Sequence, residues 1–339
     1  MAVASASLTP AAAPRRRRTS RAPYLYLVPA FVVMGVITLY PLAFQVWMSF
    51  TNMELIHLNL RLGVQPDFIG IQNYVDILTS QLSIPNFHFA RLIVYNIWWA
   101  VSNVAIHLVL GVAIAVLLNA KGLWFRRFYR AMYILPVIIP PIIVATVWKN
   151  MFDKDDGAIN LILALGGGFI GLPADAFQID WLRQVADPVP WFLPFFSLPL
   201  AYYAMLITNT WLGWPLNSVV ATGALQSIPH ELYEAAEMDG ASGWQKFRGI
   251  TLAYLQPAMI PYAIYGFVVT FNLFHLAFFM SQGGPFGRTE LLVTQAYHLA
   301  NDQKLYGVGA AFAVIMFFIL LAITLVTNRL TKATQTYSL

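Results

Sequence analysis

Residues 92–120 read LIVYNIWWAVSNVAIHLVLGVAIAVLLNA, an uninterrupted run without Asp, Glu, Lys or Arg. A helix needs roughly 20 predominantly apolar residues to cross the hydrocarbon core of a bilayer, so this run predicts a membrane-spanning helix. The whole chain has the same character. Its 339 residues are 59% hydrophobic and 10% charged, whereas a soluble domain carries about 25% charged residues. The composition therefore predicts an all-α integral membrane protein.

We predict one spanning helix in each of six uncharged stretches along the chain. They are 22–53, 92–120, 131–148, 188–230, 249–287 and 305–328. Prolines divide the fourth stretch, so a single span near 193–215 fits it better than two. The uncharged stretch 157–174 is interrupted by Gly166–Gly168 and Pro173, and it predicts a short helix outside the membrane.

The basic residues are distributed by topology. Six spans place both termini on one side of the membrane, together with the loops 121–130 and 231–248. These four segments hold 13 of the 20 basic residues but only four of the 15 acidic ones. Since positive charge marks the cytoplasmic face, we expect a multi-pass protein of the cytoplasmic (inner) membrane with both termini in the cytoplasm. The net charge of +5 then needs no nucleic-acid partner.

The N-terminal residues 1–22 are rich in Ala, Ser, Pro and Arg, and we expect a disordered basic cytoplasmic tail there. Four arginines before an apolar run could also mark a secretory signal. We favour a retained first helix, because the run is about twice the length of a signal's apolar region. One membrane domain then extends over 23–330, followed by a cytoplasmic tail at 331–339.

A polar segment interrupts the apolar chain at 234–252, which reads EAAEMDGASGWQKFRGITL. The residues up to Glu237 are strong helix formers, and Gly240 permits a turn that a β-carbon would oppose. The positions from Trp244 to Leu252 can then resume as a second short helix. Small Ala235 and Ala236 would let the first helix sit deep in a groove of a partner.

This segment resembles the cytoplasmic coupling loop of the membrane subunits of ATP-binding-cassette importers. The family pattern is EAA, three residues, Gly, nine residues and Ile-x-Leu-Pro. The matching positions are Glu234, Ala235, Ala236, Gly240, Ile250 and Leu252. Ala253 stands where the family usually has Pro. The resemblance implies that these residues, with Asp239, receive force from a separate ATPase.

Other motifs resemble carbohydrate-type importer permeases. They are the run RAMYILP at 130–136, Pro140-Pro141, Trp148, Phe152 with Gly157 and Asn160, Gly283-Gly284-Pro285 with Thr289, and Gly307 with Gly309. The resemblance extends over about 24–329 and implies a six-helix permease domain. It also implies a homologous second permease, two ABC ATPase subunits that hold ATP and Mg, and an extracytoplasmic solute-binding protein. This chain itself would carry no cofactor.

Polar side chains recur on the faces of the predicted spans. Asn96, Trp99, Asn103 and His107 share one face of the second span, and further polar stripes occur in the fourth and fifth spans. Amides and aromatic rings without an ionised residue suit a neutral polyol such as a sugar. The alternative is hydrogen bonding between helices. The predicted substrate pathway comprises Asn272, Tyr265, His275, Asn209, Trp214, Asn217 and Asn103.

Asn272 carries an additional indication from the resemblance. Phe271 and Asn272 precede Gly283-Gly284 by twelve residues, where maltose-type permeases have a Phe-Asn pair lining the sugar site. His275 stands where that family often has an apolar residue.

The sequence carries no sign of chemistry in this chain. It lacks a Walker A pattern, it has no Cys, and no catalytic or metal constellation stands out. Asp153, Asp155 and Gly157 suggest a calcium loop, but the remaining ligand positions are missing, so a solvated acidic loop is the better interpretation. Within the family, a glycerol-phosphate-type permease is the alternative; outside it, a stand-alone secondary transporter or channel subunit.

Overall fold

The computed structural model describes residues 22–120, 122–185 and 198–331, and helices dominate this part of the chain. Four segments lie outside the described residues: residues 1–21 of the predicted tail 1–22, residues 332–339 of the predicted tail 331–339, Lys121, and residues 186–197, which include the start of the fourth uncharged stretch. The chain divides into two compact units, residues 1–47 and 48–339.

The first unit contains one long apolar helix. Helix α1 (Ala22–Met34) continues through a π-helical turn at Gly35–Leu39 into α2 (Tyr40–Met48). Together they give a predominantly apolar helix of 25 residues from Tyr24 to Met48, and large apolar side chains are exposed along its length. A helix that is apolar on every side is suited to lie against lipid or other apolar helices.

The second unit contains the remaining helices. They are α3 (Gln72–Leu78), α4 (Phe89–Asn119), α5 (Arg126–Tyr133), α6 (Leu135–Ile138), α7 (Pro141–Met151), α8 (Ala158–Gly168), α9 (Leu200–Gln226), α10 (His230–Met238), α11 (Gly243–Lys246), α12 (Leu252–Phe271), α13 (Phe274–Met280), α14 (Leu292–Tyr297) and α15 (Tyr306–Thr331). Short 3₁₀ turns occupy Leu55–Leu58 and Ala174–Phe177, and π-helical turns occupy Phe247–Thr251 and His298–Asp302.

Helix α4 is the centre of the second unit. It contributes Trp99 to an apolar cluster with α7, α9 and α13, and Ala100 to a second cluster with α3, α14 and α15. Ala115 belongs to a third cluster with α9 and α12. A single helix of 31 residues, which contains most of the uncharged run 92–120, thus supports the packing of most other elements.

Helices α4 and α9 pack side by side and run in the same direction at a constant offset. Position 103 contacts position 209, position 107 contacts 213, and position 111 contacts 217. Glycines make the close approach possible: a Cβ at Gly111 would lie 2.5 Å from Cβ of Asn217, and a Cβ at Gly213 would lie 2.1 Å from the His107 ring. Small residues at four-residue spacing are a common device for packing helices in a membrane.

The predicted third span, 131–148, is not one straight helix. The segments Arg126–Ile138 and Pro141–Met151 meet at 95°. Adjacent prolines at 140 and 141 cause the bend, because proline lacks the amide hydrogen and restricts the residue before it. Only α7 continues beyond the bend, and α5 and α6 lie across its axis.

The predicted fourth span, near 193–215, is displaced along the sequence. Helix α9 begins at Leu200 and continues through Pro215 to Gln226. The prediction treated Pro215 as an end, whereas Asn217 and Ser218 immediately beyond it are buried and packing keeps the helix continuous. The short helix predicted within 157–174 is confirmed as α8, although its glycines end the helix rather than interrupt it.

Four described helices are long and apolar enough to cross a membrane: Tyr24–Met48, Phe89–Asn119, Gly243–Phe271 and Tyr306–Thr331. The bent pair around Pro140-Pro141 gives a fifth if it is counted as one span. Helix α9 has 27 uncharged residues and is about 40 Å long, but its buried face is rich in polar side chains. The count of six spans therefore stays a prediction.

Candidate functional site

The residues that match the coupling pattern form an exposed helix and turn. Helix α10 ends at Met238, and Gly240 follows with φ +73°. The amide of Ala241 donates to the carbonyl of Ala236 at 2.8 Å, and the amide of Gly240 donates to that of Glu237 at 3.0 Å. This pair of bonds is a Schellman motif, which requires a left-handed residue at the position of Gly240. The predicted glycine turn is thus present.

The other side of the turn is closed by side chains. Ser242 and Gln245 form a reciprocal capping box, with the Ser242 amide 2.7 Å from Oε1 of Gln245. Across the turn, Nζ of Lys246 lies 2.6 Å from Oε1 of Glu237. A capping box satisfies two amides that the helix start leaves unpaired. The turn at 239–242 is therefore a defined shape rather than a loose connection.

The surface around this turn is open to solvent. Glu234, Ala235 and Asp239 are exposed, and Ala236 is half-buried. The apolar side chains of Met238 and Trp244 are 89% and 67% exposed. Exposed apolar residues rimmed by charged ones occur at surfaces that bind proteins, membranes or ligands.

One expectation for this segment is wrong. The positions after Gly240 do not form a second short helix; they begin a helix that is continuous from Gly243 to Phe271. Ile250 and Leu252, both half-buried, lie within it, at and beside a π-helical turn. The hydroxyl groups of Tyr233 and Thr251 lie 2.9 Å apart, which fixes α10 to the base of the long helix. The helix continues beyond Leu252 through Pro257 and Pro261 and ends only at Phe271.

The predicted polar residues of α4 and α9 contact each other. Nδ2 of Asn209 donates to Oδ1 of Asn103 at 2.7 Å, and Nδ2 of Asn103 donates to the carbonyl of Trp99. The His107 ring lies 2.9 Å from the carbonyl of Asn209. All three side chains are buried, so the pair Asn103–Asn209 makes the helix-to-helix hydrogen bond that the sequence left as an alternative.

Two further predicted residues of α9 lie nearer its C-terminal end. Nδ2 of Asn217 donates to the carbonyl of Gly213 in its own helix, while its Cβ fills the space beside Gly111. The ring of Trp214 lies 5.4 Å from that of Tyr133. Trp214 is half-buried and connects α9 to the end of α5.

The remaining predicted residues surround a break in the fifth apolar stretch. Helix α12 ends at Phe271, and α13 begins at Phe274. Nδ2 of Asn272 donates to the carbonyl of Val268 at 3.0 Å, and its side chain is half-buried. Tyr265 lies about two turns before the break and is 59% exposed. His275 lies after the break, in α13. The break means that these three residues do not share one continuous helical face.

Asn96 connects three helices, although the sequence did not assign this residue to a site. Its Nδ2 donates to the carbonyl of Phe271 at 3.1 Å, and its Oδ1 accepts from the amide of Leu292 at 2.7 Å. Asn96 is fully buried. It therefore fixes the end of α12, next to Asn272, against α4 and the start of α14. The only signal in the sequence was its place on the polar stripe of α4.

The Gly-Gly-Pro loop packs around Glu290, a residue that was not among the predicted site residues. The loop approaches the Glu290 side chain so closely at Gly283 that a Cβ there would meet Oε2. Oγ1 of Thr289 donates to the carbonyl of Gly284 at 2.6 Å. His298 lies 3.7 Å from Glu290 and pairs with Asp302. Burial raises the pKa of Glu290. The close approach of Gly283 and the Thr289 hydrogen bond indicate a packed structural loop.

The acidic group at 153–156 is a turn. Oδ1 of Asp153 accepts from the amides of Asp155 and Asp156, and these bonds lower the pKa of Asp153. Asn160 is buried and donates to the carbonyls of Lys154 and Ile179. No group of metal-binding side chains occurs in the described parts of the chain.

The described part of the chain is helical, has helices long and apolar enough to cross a membrane, and carries an exposed, capped helix and turn before the long helix Gly243–Phe271. Residues 107–335 match the family described as the binding-protein-dependent transport system inner membrane component. The chain belongs to this family, and the predicted permease class is confirmed.

The curated relatives and solved structures agree with this assignment. The galactooligosaccharides transport system permease protein GanP of Bacillus subtilis is 30% identical over 318 residues, which cover 92% of this chain and 70% of the relative. The trehalose/maltose transport system permease protein MalF of Thermococcus litoralis is 28% identical over 91% of this chain and 93% of its own. A chain of a bacterial ABC transporter for alginate import matches with TM-score 0.72 at 20% identity, over 92% of this chain and 95% of that one. Its likeness supports the all-α permease fold.

Proposed function

We propose that this chain is the permease subunit of an ATP-driven importer that carries a neutral sugar or oligosaccharide into the cytoplasm. The observation that carries the proposal is the rigid turn at 239–242, held by the Schellman motif and the Lys246–Glu237 ion pair. Such a turn, with exposed apolar residues at its tip, is suited to receive force from a separate protein. Two relatives are named as permeases for galactooligosaccharides and for trehalose/maltose, which supports a sugar as the transported substrate.

We propose that the importer contains three kinds of subunit besides this chain. A homologous second permease lies beside this chain, two ATPase subunits hold ATP and Mg in the cytoplasm, and an extracytoplasmic solute-binding protein delivers the sugar. Both termini of this chain face the cytoplasm, since the basic residues concentrate on that side. Closure of the ATPases moves α10, and the complex changes state because its ligands bind the two states with different affinity.

We place the sugar contact at Asn272 in preference to the pair Asn103–Asn209. The two amides of that pair already bond each other between buried helix faces. Asn272 is half-buried at a break in the helix, where irregular backbone is tolerated if it lines a cavity. Its Nδ2 bonds its own helix, and among the described residues no hydrogen-bond partner of its Oδ1 is seen, so this oxygen can accept from a sugar hydroxyl.

The purified chain alone should neither hydrolyse ATP nor drive uptake. The reason is that we expect ATP hydrolysis on separate ATPase subunits. This chain would contribute only the turn at 239–242 to which they dock. We expect uptake in proteoliposomes only when the second permease, the ATPase subunits and the solute-binding protein are all present. Concentrative sugar uptake by vesicles that contain this chain alone would contradict the proposal.

Substitution of Asn272 by alanine should lower sugar uptake per assembled complex by about 5- to 100-fold. Loss of one hydrogen bond in a dry cavity costs roughly 1–3 kcal/mol, or about 5- to 150-fold, and the expected fall lies within that range. Complex yield and ATPase stimulation by the solute-binding protein should be retained. Asn209→Ala is the matched control: it removes a helix-to-helix bond, so it should lower the yield and leave uptake per complex near wild type. Equal normalised uptake in Asn272→Ala and wild type would show that Asn272 only packs.

A further inference from the structure

The segment between α4 and the Pro140-Pro141 bend has an unusual charge distribution. Three arginines occur at 126, 127 and 130, and no acidic residue occurs anywhere between Asp76 and Asp153. Among the described residues, none of the three arginines forms an ion pair with a carboxylate. Nη2 of Arg126 donates to the carbonyl of Ala120 at the end of α4, while Nε and Nη2 of Arg130 are buried without a hydrogen-bond partner in this part of the chain.

Helix α5 is strongly two-sided. At about 100° per residue, its three arginines fall within roughly 100° of arc, and Phe128, Tyr129 and Met132 fall within a similar arc on the opposite side. The large apolar side chains are not covered by protein: Phe128 is 58% exposed and Met132 is 49% exposed. Trp124, which precedes the helix, is 82% exposed. The helix thus presents one cationic face and one bare apolar face.

The bend fixes how this helix is oriented. Because Arg126–Ile138 meets Pro141–Met151 at 95°, α5 runs along the membrane plane if α7 enters the membrane along its normal. A helix in that orientation with arginines on one face and aromatic residues on the other is suited to the interface between headgroups and acyl chains. Aromatic side chains such as Trp124 are also favoured at that depth.

From these observations we propose that α5, with Trp124, is an interfacial helix that binds the headgroups of anionic phospholipids in the cytoplasmic leaflet. Arg127, which is exposed, supplies a charged donor to the phosphate of a lipid, and Arg130 adds a positive charge on the same face of the helix. Guanidinium groups bind phosphate by paired hydrogen bonds. The apolar face argues for lipid over an acidic protein surface, because a partner docked on the arginines would leave Phe128 and Met132 in water.

The first test measures lipid retention by the assembled transporter. The complex in detergent is mixed with phosphatidylglycerol or phosphatidylcholine, and bound lipid is counted by native mass spectrometry. We expect phosphatidylglycerol to be preferred, and the double variant Arg127→Gln, Arg130→Gln to lose that preference by about 25-fold, since each cation near an anionic surface contributes roughly five-fold. The charge-preserving pair Arg127→Lys, Arg130→Lys should retain a preference.

Arg61→Gln, Arg183→Gln is the matched control, because both arginines are exposed and belong to loops that we place on the other side of the membrane. It should bind phosphatidylglycerol as the wild type does. If the variant Arg127→Gln, Arg130→Gln still preferred phosphatidylglycerol over phosphatidylcholine, the proposal would be overturned. A variant that keeps lipid binding but loses its ATPase subunits would also overturn it, since the arginines would then face protein.

The second test needs no change in the arginines and therefore survives if those variants fail to assemble. The chain has no cysteine, so Trp124→Cys places a single spin label on this subunit. In nanodiscs that contain phosphatidylglycerol, we expect the label at the boundary of headgroups and acyl chains, as judged by collision with oxygen and with a water-soluble nickel complex. Leu60→Cys, at a position 93% exposed, should report water. A label at 124 as water-accessible as one at 60 would refute an interfacial helix.

Discussion

Replacement of Gly240 by valine should uncouple sugar uptake from ATP hydrolysis or prevent the ATPase from docking. Gly240 has φ +73°, and a β-branched side chain in that region costs on the order of 1–3 kcal/mol. Nothing lies within 4 Å of a Cβ built at this position, so the effect comes from backbone strain and not from a clash. The Schellman motif then opens, and uptake should fall about 5- to 150-fold, the range that this free energy implies.

The measurement is sugar uptake and ATPase stimulation per assembled complex, with two comparison variants. Gly243→Val adds the same side chain three residues later, where a Cβ also meets nothing and φ is not positive, so it should be near wild type. Gly240→Asn should retain much of the activity, because asparagine tolerates left-handed backbone. Glu234→Lys should weaken docking by reversing a charge on the same surface. Wild-type coupling in Gly240→Val would show that the turn is not the contact.

The second large effect is expected from Gly111→Val, which should separate α4 from α9. A Cβ at Gly111 would lie 2.5 Å from Cβ of Asn217 and 3.0 Å from backbone atoms of Asn217 and Ser218. Backbone cannot rotate away as a side chain can, so the helices must move apart. Overpacking of a core typically costs about 1–3 kcal/mol. We expect a lower yield of assembled complex and a lower thermal midpoint.

Gly223→Val provides the comparison within α9 itself. A Cβ at Gly223 meets nothing within 4 Å, and the residue is exposed, so valine there should leave yield and thermal midpoint nearly unchanged. If Gly111→Val were as stable as Gly223→Val, the constant offset between α4 and α9 would not describe the folded protein.

Much of this fold follows from simple features of the sequence. Long uncharged runs identify α4 and α15 because a buried or lipid-facing helix tolerates few charges. Gly240 could be placed at a turn because its neighbours form helix strongly while glycine does not. The bend at Pro140-Pro141 was visible as two prolines, but its angle was not, since the same pair also fits a kinked single span.

The polar residues show where the sequence stops being informative. Asn103 and Asn272 look alike in sequence, as single amides in apolar runs. Asn103 bonds Asn209 on another helix, a contact set by helix packing far along the chain. Asn272 lies at a helix break that no Gly or Pro announces. Which amide bonds another helix and which bonds only its own helix therefore depends on tertiary contacts, and periodicity alone does not distinguish them.

The continuous helix from Gly243 to Phe271 has a mechanical consequence. Its 29 residues make a rod about 43 Å long, with the 239–242 turn at one end and Asn272 at the other. A tilt of about 10°, pivoted at the turn, would displace the far end by about 7 Å, more than twice the length of a hydrogen bond. Pro257 and Pro261 lie within the rod and, lacking amide hydrogens, set where it can flex. If the turn receives the movement of the ATPase as we propose, a small change of angle there would be enough to make or break contacts at Asn272.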